Sequence, residues 1–464
     1  MTISSDKLRI EQSPRYRYTK WRWRMLAHAL DTVGGLLFSI WRWFRPVPQI
    51  ASPRRILVVQ LDHLGDGILS SPIFPLLRSR YPDAQLHVLA STSNAALFEA
   101  DPHIDQVLIA RRTWFERRRH AWALGSAIWE LSRTVRSGRY DIGIDVRGDV
   151  LTVLVLALAG IPRRLGWSMG GGGFLLTDRA AWVRGRHEVR SRLALIQELG
   201  ITPQESTRVS AYPTDADRAF IADILETRWR PHAPARSTSP ARPLATRRSL
   251  MHAPAMLHAG TPHRFTRSGS IDHPPIPPPP DPERLHAGRF GAEAPLLAIH
   301  LGAGTIAKRW PIAHWQRLTD RFLEEGWRIV IVGDAEDLSL AAELPPHPDR
   351  LDLTARLTVM QTAALLERAD FFIGADSAPA HLAACAGTPS LILFSGTNHV
   401  SQWRPWSRRS LVLRHRVSCR PCHRKICPLA GHPCMSGISP QRVHHTAKRW
   451  WTKLHGSLSP HAPF

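Results

Sequence analysis

The sequence predicts an α/β protein of two doubly wound domains facing a cleft, and three observations predict it. Apolar strands alternate with helices over residues 54–200 and again over 296–395. Three of those strands break into glycine turns that open helices: RRILVVQLDHLGDGILSS (54–71), IHLGAGTIAKRWP (299–311) and FFIGADSAPAHLAACAGTP (371–389). A stretch rich in Pro, Arg, His and Ser, residues 229–292, parts the two alternating regions.

Residues 1–51 form a basic, aromatic N-terminal segment. Trp21 and Trp23 mark one end and Trp41 and Trp43 the other, interleaved with Arg22, Arg24, Arg42 and Arg45. The apolar stretch from Met25 to Ile40 contains Asp31, His28 and two glycines. It is shorter than the roughly 20 apolar residues of a membrane span. Trp and Arg at both ends favour a helix lying in the headgroup region of an anionic membrane. A true span and a helix packed on the protein are the alternatives. No cleavable signal peptide is expected, because no apolar core is followed by a small-residue cleavage site.

The first domain, 52–228, is expected to carry the strands RILVVQL, QLHVLAS, QVLIA and YDIGIDVRG. A helix runs to Ser79, LTVLVLALAG reads as a buried helix, Gly170–Gly173 as a flexible loop, and 187–200 as a helix. The segment 229–292 cannot bury enough apolar surface to offset its ordering entropy and is expected to be a disordered linker. The second domain, 293–455, resumes with LLAIHL, RIVIVGD, FFIGAD and SLILFSG, with helices through WQRLTDRFLEEG, near Asp337–Leu344 and over Val359–Ala369. Residues 441–454 form a last helix, and 456–464 a disordered tail.

The glycine turns carry the chemistry. In 371–389, Asp376 and Ser377 are N-cap residues and Pro379 suits a first helical turn. Such a junction aims free N–H groups of Ser377, Ala378 and their neighbours past the sheet edge, an anion site. Asp376 beside it offers an acceptor for sugar hydroxyls. In 299–311, Gly302 and Gly304 allow close backbone approach, Thr305 offers a hydroxyl and Lys308 a compact cation. In 54–71, Gly65 and Gly67 bracket Asp66 at the end of the first strand, where open α/β sheets bind ligands. A nucleotide sugar needs this combination: donors for the diphosphate and an acceptor for the sugar. Any one of these loops alone is explained by tight strand–helix packing; three in this order are far more specific.

Together these stretches resemble the ADP-heptose:lipopolysaccharide heptosyltransferases, family 9 of the glycosyltransferases, over roughly residues 52–228 and 293–445. The resemblance implies the GT-B architecture, with two Rossmann-like domains and a C-terminal helix, 441–454 here, crossing back to the first. It implies inverting transfer of heptose from ADP-heptose to a lipopolysaccharide or similar glycolipid acceptor. Asp66 matches the catalytic base, with Asp62 as a second candidate and Asp62, His63 and Gly65 on the acceptor side. Lys308 matches the phosphate lysine, supported by Gly304, Thr305, Ser377, Ala378 and His381. Asp376 binds sugar hydroxyls, Glu336 the ribose, and Thr354 and Leu357 line the base pocket. No Asp-x-Asp pair is placed to hold a catalytic divalent ion, so no cofactor is expected for catalysis. The long linker departs from the family, whose connection is much shorter. Alternatives are transfer of another nucleotide-activated sugar, heptose transfer to protein, a nucleic-acid-binding protein, and an inactive scaffold.

Cys419, Cys422, Cys427 and Cys434 form a run whose first pair has the spacing of half a metal knuckle. A structural zinc or iron, reduced thiols and a disulfide all remain open; none is expected to be catalytic, since the run lies far along the chain from the phosphate loops. Cys385 is expected in the core, and five cysteines in 464 residues suit a reducing compartment.

The net charge of +23 is concentrated in flanks. Residues 1–55 carry an excess of eight positive charges, 228–290 seven, and 403–464 twelve with no acid at all. The remaining chain is slightly acidic. Diffuse basic flanks fit an anionic membrane or lipopolysaccharide surface as well as they fit nucleic acid, but a nucleic-acid binder should carry basic and aromatic residues on a folded face, so no nucleic acid is expected. The implied location is the cytoplasm, peripheral at the inner face of the membrane.

Overall fold

In the computed structural model the two alternating regions build two six-stranded sheets, and every strand pair in both is parallel. The structure describes Tyr16 and residues 21–44, 50–110, 121–204, 207–229 and 294–456. Beyond Trp229 the linker lies outside the described residues, as does the tail beyond Gly456.

The first sheet comprises β1 (Arg55–Gln60), β2 (Gln85–Ser91), β3 (Gln106–Ala110), β4 (Ile142–Asp145), β5 (Arg163–Trp167) and β6 (Asp178–Ala180), in the order β3-β2-β1-β4-β5-β6. The second comprises β7 (Leu296–His300), β8 (Arg328–Val332), β9 (Arg350–Asp352), β10 (Phe371–Ala375), β11 (Ser390–Leu393) and β12 (Ser410–Leu413), in the order β12-β11-β10-β7-β8-β9. Numbered within its own domain, the second sheet repeats the order of the first. Each has one switch point, between β1 and β4 and between β7 and β10. There the crossovers leave in opposite directions and a crevice opens beyond the strand ends. The central strands are apolar on both faces, as in β1 and β7, because helices cover both sides.

The longer helices are α1 (Trp21–Phe44), α2 (Leu64–Ser70), α3 (Ile73–Arg80), α4 (Ala121–Ser137), α5 (Val150–Leu158), α6 (Glu188–Gln197), α7 (Asp215–Trp229), α8 (Ile312–Glu324), α9 (Val359–Arg368), α10 (Ala378–Ala386) and α11 (Pro440–Gly456). The single helix expected up to Ser79 is two, α2 and α3, broken near Ser71 and Pro72. The domains share one apolar core that runs from α2 and β1 through α7 to α9 and α10.

The expected crossing by the last helix is corrected. Helix α11 stays on the second domain, burying Val443 and Ala447 with Trp315, Phe322 and Trp327. His444 and Lys448 of α11 each reach Glu325 at 2.8 Å. The helix that joins the domains is α7, the last before the linker. Its Arg218 grips Glu367 of α9 with two bonds, Nε to Oε2 at 2.8 Å and Nη2 to Oε1 at 3.1 Å. Arg228 donates to the Pro348 carbonyl at 2.8 Å, and Arg328 lies over the Trp229 ring at 5.4 Å.

Helix α1 seats on the glycine segment that the sequence suggests is flexible. Asp31 Oδ1 accepts from the Gly172 N–H at 2.7 Å, its Oδ2 accepts from the Tyr16 hydroxyl at 2.9 Å, and Phe38 meets Phe174 edge-on. Three-ten turns at Ser168–Gly170 and Gly173–Leu175 fix that segment. The opposite face of α1 is apolar and open: Leu26, Leu30, Val33, Leu37 and Ile40 are 43–63% exposed. Among the described residues no helix is long and apolar enough to cross a membrane.

Candidate active site

The strands β1, β7 and β10 each adjoin a switch point. Asp66 follows β1, Lys308 follows β7, and Asp376 follows β10, so the two domains present these residues to one crevice. Gly65 brings the halves into contact: a Cβ there would lie 3.3 Å from His381 and 3.8 Å from the Ala378 backbone. The N-terminal turns of α2 and α10 therefore face each other across the crevice.

Asp66 stands in the first turn of α2, where a carboxylate suits the helix dipole. Gln60 Nε2 and Ser70 Oγ each donate to its carbonyl at 3.0 Å, which fixes the turn. Its side chain keeps a fifth of its surface accessible. Arg192 Nη2 of α6 lies 3.9 Å from Asp66 Oδ1 and is itself paired with Glu188. Burial pushes the Asp66 carboxyl up to about 6, against the opposing pull of Arg192; Glu188 adds to the push, and His63 and Lys308 oppose it. The other acceptor-side candidates divide. Asp62 is ion-paired with Arg147 and nearly buried, whereas His63 is an exposed helix-capping position. Arg147 is presented by a turn at the end of β4, where buried Asp145 accepts from the Arg147 and Gly148 N–H groups at 3.1 and 2.9 Å.

On the donor side, Lys308 Nζ donates to Asp376 Oδ2 at 2.8 Å and to the Asp376 carbonyl at 3.1 Å. Asn398 Nδ2 donates to the same oxygen at 3.2 Å. The Ser377 side chain does not cap α10; its Oγ lies 3.0 Å from His300 Nδ1, and His300 Nε2 lies 3.0 Å from Asp337 Oδ2. The N–H groups at the start of α10 thus keep their outward capacity. Gly302 is required by this network, since a Cβ would overlap the Asp337 carboxylate, whereas a Cβ on Gly304 would meet no protein atom. Thr305 Oγ1, Thr354 Oγ1 and His381 Nδ1 are buried without a hydrogen-bond partner, a costly state that a bound ligand would relieve. Burial pushes His381 down to about 4, with Asp376 opposing, so the ring is neutral at pH 7. Glu336 lies exposed in the turn after β8, and Leu357 is half-buried beside Thr354.

The cysteine run is distant in sequence from the phosphate loop but adjacent to it in space. The Ala307 N–H donates to the Lys425 carbonyl at 3.0 Å, and the Cys422 and His423 N–H groups donate to Gly396 and Thr397. Cys419, Cys422, Cys427 and Cys434 share one cavity of about 10 Å³ with His432. Burial pushes the Cys434 thiol up, and the other three thiols add to it. All are free thiols, and among the described residues no three His, Cys, Asp or Glu side chains are arranged to hold a metal ion. The structure supplies a thiol cluster that braces the Lys308 loop, and the metal reading gains no support from it.

Residues 280–432 match the family model described as glycosyltransferase family 9 (heptosyltransferase). Lipopolysaccharide heptosyltransferase 3 of Escherichia coli is 22% identical over 361 residues, covering 75% of this chain and 85% of that protein. Two solved structures share the fold. The E. coli ADP-heptose lps heptosyltransferase II has a TM-score of 0.59 at 18% identity, covering 86% of this chain and 99% of that one. The E. coli heptosyltransferase WaaC with ADP-2-deoxy-2-fluoro heptose has a TM-score of 0.55 at 16% identity, covering 85% and 99%. The family model and the relatives agree on glycosyltransferase family 9. It is an enzyme of the GT-B fold, and the relatives that it matches are lipopolysaccharide heptosyltransferases.

Sequence reasoning about this glycosyltransferase missed the residues that surround its named ones. Glu188 and Arg192 sit 122 and 126 positions beyond Asp66, yet bound its environment. Their i,i+4 spacing on a helix with buried faces was the available signal. Asn398, Gln402 and His187 were also missed: Gln402 Nε2 donates to Glu188 Oε1 at 2.7 Å, and His187 Nε2 lies 2.8 Å from the Arg404 carbonyl, tying the domains beside the crevice.

Proposed function

We propose that the enzyme transfers heptose from ADP-heptose to a lipopolysaccharide-core-type acceptor by a single inverting displacement, with Asp66 as the base. The observation that carries this reading is the meeting of Asp66 with the Lys308–Asp376 pair and the start of α10 at the two switch points. Asp66 takes the proton of the acceptor hydroxyl as its oxygen attacks the anomeric carbon. The bond from that carbon to the diphosphate breaks, and ADP leaves. Lys308, the N–H groups at Ser377 and Ala378, and the N–H of neutral His381 meet the developing charge. A carboxylate is a weak base toward an alcohol, so proton transfer is late and coupled to attack. The Lys308–Asp376 pair is divided when donor binds: the ammonium turns to phosphate and the Asp376 carboxylate to sugar hydroxyls. Thr305, Gly304, Glu336, Thr354 and Leu357 complete the donor site.

The test is ADP release from ADP-heptose with and without heptose-deficient lipopolysaccharide. Acceptor-dependent release is expected, and turnover with other nucleotide sugars alone would overturn the donor. Its pH dependence follows from Asp66. The base must be ionised, so kcat/KM should fall as pH drops through about 6 and level off above about 7. A profile flat down to pH 4.5 would remove Asp66 from that role.

The open face of α1 supports peripheral binding at the cytoplasmic face of an anionic membrane. Leu30 and Leu37 face outward while Asp31 holds the helix to the protein. A Leu30→Asp/Leu37→Asp variant is expected to lose at least about tenfold in partitioning to anionic vesicles, since each buried leucine contributes roughly 1.5–3 kcal/mol. Unchanged sedimentation with vesicles would refute the membrane role.

A further inference from the structure

Beside the crevice a cavity of about 660 Å³ opens between the domains, and its walls are basic. Arg186 and Arg190 come from the first domain, and Arg404, Arg414 and Arg420 from the second. Among the described residues that line it there is no Asp or Glu. Two further lining residues connect it to the reaction site. Asn398 donates to Asp376, and His187 immediately precedes Glu188, the partner of Arg192 near Asp66. A volume of this size suits a small ligand of sugar dimensions.

Guanidinium groups brought from two domains to the walls of one cavity repel one another, and an anion placed among them would offset that repulsion. The crowding registers on its members. Arg414 is held below its ordinary value by burial and then by Arg420 and Arg416. His399 is held low by burial and then by His423, Arg184 and Arg420, and burial takes His187 down to about 4. Arg190 lies over the Trp406 ring at 5.8 Å, and both residues line the cavity. Guanidinium is the side chain whose planar fork matches phosphate oxygens two at a time.

We propose that this cavity receives a phosphate ester carried by the acceptor glycolipid, holding the acceptor sugar so that its hydroxyl reaches Asp66. The proposal rests on the transfer reading above and adds the charged class of its acceptor. A phosphate is favoured over a single carboxylate because several arginines line the cavity, and a phosphate ester brings up to two negative charges with three free oxygens.

The experiment uses the full-length protein and core oligosaccharide from heptose-deficient lipopolysaccharide, either native, phosphatase-treated or carboxyl-reduced. Calorimetric binding is measured without donor, and ADP release with it. Wild type is expected to bind the native oligosaccharide at least tenfold more tightly than the phosphatase-treated one. Arg414→Gln/Arg420→Gln should abolish most of that preference and raise the acceptor KM about tenfold or more. A variant that stays folded by circular dichroism but keeps the full preference would overturn the proposal. So would a preference that tracks carboxyl reduction instead of phosphatase treatment. Binding needs no turnover, so selective binding without ADP release would retain the phosphate site and reject the transfer reading. ADP release that ignores phosphate would do the reverse.

Discussion

Asp66→Asn is expected to abolish transfer while raising the stability of the protein. Loss of a positioned general base costs roughly 10²–10⁴-fold in rate. Asn keeps the size of Asp and leaves α2 intact, because the bonds from Gln60 and Ser70 go to the backbone carbonyl rather than the side chain. Stability moves the other way. Burial raises the folded-state pKa of Asp66 from 3.8 to about 6, so the folded chain binds this proton more tightly than the unfolded chain does. Ionising Asp66 therefore destabilises the fold; the penalty is absent below pH 3.8 and fully present above about 6. It amounts to as much as about 3 kcal/mol at neutral pH, with Arg192 already offsetting part of the burial. Asn removes that penalty, and the gain over wild type should shrink as pH falls from 7 toward 4. Thermal melts at several pH values, beside single-turnover ADP release, check both halves. A variant that loses activity and stability together would make Asp66 a structural residue.

The same contrast explains what could be read from the chain. The strands at the centre of each sheet are covered on both faces, so their sequences are continuous apolar runs: ILVV in β1, RIVIV in β8, FFI in β10. The strands not foreseen are β5, β6, β9 and β12. DRA and RLD are edge strands only three residues long that carry charge, and RRLGW, although interior, opens on two arginines. No periodicity survives in so short a segment. Asp66, Lys308 and Asp376 were legible because the strand–turn–helix junction is a local feature. The ion pair that ties Lys308 to Asp376 was not, since it spans 68 positions and needs the β7–β10 pairing to exist. Likewise the crossing expected of α11 is made by α7, because an amphipathic helix shows that it packs but not against which domain. The glycine run at 170–173 reads as slack chain in the sequence; its conformational freedom serves instead to admit the Asp31 carboxylate and the Ala27 side of α1.

Lys308→Met should be the most damaging change on the donor side, and a second substitution separates its two roles. The ammonium is the cation nearest the diphosphate in the proposed mechanism. Removing one preorganised charge from a leaving group costs about 2.7–4 kcal/mol of transition-state stabilisation, so kcat should fall roughly 10²–10³-fold. Lys308 also neutralises Asp376, whose side chain is only 5% exposed. Without it that carboxylate keeps Asn398 alone, and the fold should lose about 1–3 kcal/mol. In Lys308→Met/Asp376→Asn no buried charge is left unpaired, so stability should return toward wild type. Activity should not return, because neither phosphate nor sugar regains its partner. The double-mutant cycle thus yields a strong coupling in the melting experiment and none that rescues turnover. If the double variant recovers both, the pair is a packing device and the diphosphate is met elsewhere. If Lys308→Met alone leaves kcat within a few-fold of wild type, the N–H groups at the start of α10 and His381 suffice for the leaving group, and the charge on Lys308 serves only to hold the end of β10 in place.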